Sequence, residues 1–150
     1  MPGEVEFHTG VGDKTGFACR LLRKAYRQGV RVLVTGPAEV LSALDRQLWM
    51  FDERDFVPHL RVGGGTSMAL AARTPIWLVE GDPPAGAPAV LVNLGADVLP
   101  DLAPFERVIE VVSREPDDEQ AGRSRWRDYK ARGLVIKHHS AGTSRGADGE

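Results

Sequence analysis

A single cysteine, Cys19, rules out any disulfide within the 150-residue chain, and its place in an apolar helical pattern marks a small buried thiol. That suits a reducing cytoplasm, the expected location. Long apolar runs are missing too: no stretch approaches the roughly 20 residues a membrane-spanning helix needs. The opening MPGEVEF has no basic segment followed by an apolar run, so the expectation is a protein neither exported nor embedded. Nor is charge of one sign in excess. Nineteen Lys and Arg against 21 Asp and Glu leave a net charge of −2, which argues against wholesale wrapping of nucleic acid, because that relies on neutralising many phosphates. Any role at DNA is expected to be indirect. No internal repeat is present.

Catalytic patterns are equally scarce. No serine sits in a nucleophile elbow, and nothing pairs Cys19 with a histidine in sequence. His8, His59, His138 and His139 show no metal-ligand spacing, and neighbours along a strand point to opposite faces. Neither a metal nor a cofactor is expected. The stretch Gly10–Gly16, GVGDKTG, invites comparison with phosphate loops, but Asp13 stands where the glycine before the lysine is needed, and the dinucleotide GxGxxG spacing is absent. Arg61–Ser67, RVGGGTS, leads into no clear strand–loop–helix unit and reads as a flexible loop. The acidic clusters at Asp52, Glu53 and Asp55 and at Asp117–Glu119 read as solvated faces and helix-start charges. The enzyme alternative is a small nucleotide-binding α/β protein using Gly10–Gly16 at the carboxyl end of its first strand.

What is present is an alternation of strand and helix patterns. Val5–His8 alternates as a short strand, and Lys14–Gln28 places Phe17, Ala18, Leu21, Leu22 and Ala25 on one helix face, with Gly29 as the stop. Val30–Val34 reads as a strand covered on both faces; Thr35-Gly36-Pro37 then turns into a helix with Leu41, Leu44 and Leu48 on one side. Ile76–Val79, Ala89–Asn93 and Phe105–Val112 read as further strands, Pro116–Arg132 as the last helix and Leu134–Lys137 as an edge strand. The expected architecture is one α/β domain over residues 1–140, a Rossmann-like three-layer α/β/α sandwich with a mostly parallel sheet. The connection Gly81–Pro88 is too short for a crossover helix, which predicts at least one antiparallel pair. Residues 141–150, rich in glycine, serine and charge, read as a disordered tail.

Two segments carry contact chemistry. In Leu44–His59, LDRQLWMFDERDFVPH, the aromatics Trp49, Phe51 and Phe56 sit at the end of a helix and in the loop after it, among charges. They are either a docking surface or packing under their own loop, and the residues alone leave both open. On the last helix Arg123, Trp126, Arg127 and Lys130 recur at i, i+3, i+4 and i+7. Such a face suits a short acidic peptide ending in an apolar residue, guanidinium groups holding carboxylates while the indole takes the apolar side chain. The competing account is a solvated face with Trp126 turned into the core.

LDRQLWMFDERDFVPH and RSRWRDYKARG, residues 123–133, both resemble segments of the chi subunit of bacterial DNA polymerase III, in the right order and at about the right distance. The resemblance implies a non-catalytic accessory subunit of the polymerase III holoenzyme, linking the clamp loader to single-stranded-DNA-binding protein during replication. It implies an acidic-tail pocket on Arg123, Trp126 and Arg127, beside Lys130. It implies that Trp49 and Phe56-Val57-Pro58, with Phe51 as a further contact, dock the psi subunit, a repair helicase being a competing occupant. Trp126 stands for the family's tyrosine and Arg127 for its lysine, changes that keep the character but alter the hydrogen bonding.

Overall fold

The computed structural model describes residues 2–50 and 56–141. Seven strands, β1 (Glu4–Val11), β2 (Val32–Thr35), β3 (His59–Arg61), β4 (Ile76–Val79), β5 (Val90–Asn93), β6 (Arg107–Ser113) and β7 (Val135–Ser140), form one sheet in the order β3-β4-β2-β5-β6-β1-β7. Every pairing is parallel. Helices α1 (Lys14–Arg27) and α2 (Ala38–Met50) cover one face; α3 (Met68–Ala72) and α4 (Pro116–Ala131) cover the other.

The alternation within strands explains the two cores. In β2, Val32 and Val34 join Ala18, Cys19, Leu22, Leu41 and Leu44 on the α1/α2 face, while Leu33 joins Phe7, Trp77 and Tyr129 on the other. Each fully buried aliphatic side chain of this kind contributes about 1.5–3 kcal/mol. Asp13 caps α1, its carboxylate accepting from the Gly16 amide at 3.0 Å. Gly29, at φ +74°, lets the chain leave that helix.

Three expectations need correction. No antiparallel pair exists among the described residues. Strands β4 and β5 are not neighbours, since β2 lies between them. Residues 80–89 can reach on the order of 33 Å when extended, enough to cross two strand spacings of about 4.8 Å and return along a strand of about 13 Å without a helix. The glycine-rich stretch is also more ordered than its pattern predicts. Following β3, Thr66 Oγ1 accepts from the Gly63 amide at 2.9 Å, and Ser67 caps α3 by accepting from the Leu70 amide, so Arg61–Ser67 is a strand–loop–helix connection. Finally, the edge strand runs on to Ser140, carrying His138 and His139 into register with Phe7 and His8. Of the expected tail only Ala141 is described, its amide donating to the Thr9 carbonyl at 2.9 Å; 142–150 lie outside the described residues.

Candidate docking sites at the two edges of the sheet

Helix α4 begins with Pro116 and three acidic residues, Asp117, Asp118 and Glu119, at the positive end of its dipole. Its attachment to the sheet comes from the face that sequence patterning leaves unnoticed. Glu110, fully buried in mid-β6, accepts from Arg125 Nε at 2.8 Å, Tyr129 OH at 2.6 Å and Asn93 Nδ2 at 2.9 Å. Burial drives the Glu110 carboxyl upward, against the opposing pull of Arg125, Tyr129 and Asn93. Burial beside that carboxylate likewise raises the Tyr129 phenol far above its ordinary value. Closer to the helix start, a Cβ placed on Gly122 would stand 2.9 Å from Val112 Cγ2, so helix and strand meet more closely there than any other residue permits. The available signals were a carboxylate inside an apolar strand and the Arg125/Tyr129 pair one turn apart.

This anchoring turns Arg123 and Trp126 toward a cleft of about 310 Å³ between α4, β1 and β7, whose other lining residues include Phe7, Thr9, Val112 and His138. The Trp126 ring tilts against Phe7, with centroids 4.9 Å apart, and meets His138 nearly edge-on at 5.3 Å. Thr9 Oγ1 and His138 Nε2 lie 2.7 Å apart. Trp126 is therefore half-buried, packed on the core by one side and lining the cleft with the other. Arg123 is exposed. Arg127 and Lys130 are exposed as well and continue the cationic stripe beyond the cleft lining.

At the opposite edge, His59 opens β3 and is buried, its Nδ1 2.7 Å from the Val57 carbonyl and its Nε2 2.9 Å from Asp45. Trp49 and Phe56 gather over it: their centroids are 4.9 Å apart and lie 5.3 and 5.7 Å from the imidazole. Trp49 is 63% exposed and Phe56 43%, so both offer ring surface to solvent; the loop residues 51–55 between them lie outside the described residues. Val57 differs from its expected place on the docking surface, being 1% exposed and part of the α1/α2 core. Pro58 is half-buried beside it, and Phe51 lies outside the described residues.

The Gly10–Gly16 loop is closed by its own contacts. Lys14 Nζ lies 2.7 Å from Asp118 and donates to the Leu94 carbonyl at 2.9 Å, while the Asp13 carboxylate is taken up in capping. Burial alone would raise the Asp118 carboxyl, but bonds from Lys14 and the Ser113 amide outweigh it and hold it below its ordinary value. Cys19 is buried as expected, and burial pushes its thiol up to about 11, an unreactive thiol at neutral pH. The histidines are not as scattered as their spacing implies: His8 and His139, opposite one another on β1 and β7, stack with centroids 4.7 Å apart. Among the described residues no helix is long and apolar enough to cross a membrane.

The chain is an all-parallel α/β domain with a cleft of about 310 Å³ at one edge of its sheet and an exposed aromatic pair near the other. The sequence profile of the DNA polymerase III chi subunit, HolC, matches residues 2–137, and the chain belongs to that family. It is 36% identical over 124 residues to the DNA polymerase III subunit chi of Pseudomonas aeruginosa, a match covering 81% of this chain and 82% of that relative. Against the subunit chi of Haemophilus influenzae the identity is 28% over 130 residues, covering 83% and 85%. Family membership gives the chain an accessory role in DNA replication.

Proposed function

We propose that this protein is a non-catalytic adaptor of the polymerase III holoenzyme in the cytoplasm, joining the clamp-loader complex to the acidic C-terminal tail of single-stranded-DNA-binding protein. The observation that carries the tail-binding half is the juxtaposition of Arg123 with the half-buried Trp126 on one cleft of about 310 Å³. A guanidinium at the mouth can hold carboxylates, and an indole backed by Phe7 offers an apolar wall to a terminal hydrophobic side chain. Arg127 and Lys130 extend the positive stripe along which the rest of an acidic tail can lie. The exposed pair Trp49 and Phe56, held over His59, supports docking of the psi subunit, with a repair helicase as an alternative occupant of that shelf. Two moderate affinities in one tethered assembly give strong retention, because the second contact becomes effectively intramolecular.

The test is fluorescence anisotropy of a labelled peptide from the C-terminus of the cognate single-stranded-DNA-binding protein, titrated with wild type and with Arg123→Ala. Saturable binding should weaken by roughly tenfold or more, the loss of a charge-assisted contact worth about 1.5–3 kcal/mol. Absence of binding to both the peptide and the full-length partner would overturn the tail-binding role.

A further inference from the structure

We infer that Glu6, His8 and His139 form a binding site for a divalent transition metal ion at the outer edge of the sheet. Glu6 and His8 are two apart on β1 and so project from the same face; His139 is the residue directly opposite His8 on β7 and shares that face. The three ligand atoms, a carboxylate oxygen and two imidazole nitrogens, all lie within 4.8 Å of one another. No other such group of three occurs among the described residues.

Two imidazoles and one carboxylate are a donor set for zinc and its first-row neighbours rather than for magnesium or calcium, which take oxygen ligands. Bonds of about 2.0–2.2 Å require the three atoms to draw inward. His139 is exposed and can swing to do so, whereas His8 is braced against Phe17 at 5.3 Å and fixes the site's position. Three protein ligands leave the remaining coordination position to water or a partner side chain.

One neighbour opposes the ion. Arg107 grips Glu6 with both ends of its guanidinium, Nε to Oε2 at 2.8 Å and Nη2 to Oε1 at 3.1 Å. Its side chain is half exposed and can release the carboxylate, but in doing so it competes with the metal. This competition makes the site testable by a gain as well as by losses.

The experiment titrates untagged full-length protein with Co²⁺, read by its visible d–d absorption, and then displaces it with Zn²⁺. The expected result is one equivalent bound, with affinity reduced about tenfold or more in Glu6→Gln, His8→Asn and His139→Gln. His138→Gln, which alters the adjacent histidine on the other face, should leave affinity unchanged, and Arg107→Gln should tighten binding. Lack of stoichiometric binding, or affinity that depends on His138 and not on His8, would overturn the assignment. The Arg107→Gln gain cannot come from misfolding, so its absence alongside losses in all three ligand variants would also count against it.

Discussion

Arg125 and Glu110 form an ion pair with almost no exposure to water, Nε to Oε1 at 2.8 Å, directly beneath the helical turn that presents Arg123 and Trp126 to solvent. Two charges removed from water cost several kcal/mol each, and their attraction offsets this only when both remain. Here Tyr129 and Asn93 satisfy the rest of the carboxylate.

Removing one partner should therefore be severe. Arg125→Met is expected to lower unfolding free energy by about 3–5 kcal/mol in urea titrations, because Glu110 is left buried without its cation and must either keep an uncompensated charge or take up a proton. Adding Glu110→Leu to that variant should recover much of the loss. A double variant as unstable as the single one would show that packing, not charge, holds α4 down.

Gly122→Ala should bring no gain in stability, although alanine is the better helix former. Alanine favours the helix by about 0.8–1 kcal/mol, but its methyl meets Val112 at 2.9 Å, and overpacking costs about 1–3 kcal/mol. The net expectation is a loss of about 0–2 kcal/mol. Thermal unfolding of Gly122→Ala, Val112→Ala and the double variant should give a favourable coupling energy, since the smaller valine replacement makes room.

The aromatic shelf should behave as a surface and not as core. Trp49→Ala should change stability by no more than about 0.5 kcal/mol, leave tail-peptide binding intact and weaken clamp-loader binding by about 30-fold or more, as truncation of a central aromatic anchor does. Pull-down of the psi subunit beside peptide anisotropy measures both. Equal damage to both activities would mean that two separate surfaces are the wrong picture.

Acid should expose the Lys14–Asp118 tie. Asp118 titrates in the folded protein below its ordinary 3.8, so the stability it supplies is fully present above that value and is lost as pH falls through the folded one. Asp118→Asn should be less stable than wild type by about 1–3 kcal/mol at pH 7. The difference should shrink below about pH 4, as read from denaturant titrations across pH.

Much of the architecture was legible from periodicity. The helical spacing of Phe17, Ala18, Leu21 and Leu22 and the apolar runs at Val32 and Ile76 correspond to α1, β2 and β4 within two residues. The three-residue β3 and five-residue α3 are too short to show any period, and the glycines between them hide the capping by Ser67. All-parallel pairing was not legible, because it depends on which strands lie side by side, a property of the whole chain. The Arg123/Trp126 stripe was legible from its i, i+3 spacing, but its cleft needed residues of β1 and β7 from the far ends of the chain. The His8/His139 contact was hidden for the same reason: neighbours along a strand diverge, while residues in register across two strands converge.

The order β3-β4-β2-β5-β6-β1-β7 sets the shelf of Trp49, Phe56 and His59 beside the first strand of the sheet and the cleft of Arg123 and Trp126 beside the last two. Six interstrand steps of about 4.8 Å separate those margins, a distance on the order of 29 Å. A short peptide lying in the cleft therefore does not reach the aromatic pair at the other margin. The sheet acts as a ruler, keeping its two margins a fixed length apart through a hydrogen-bonded frame.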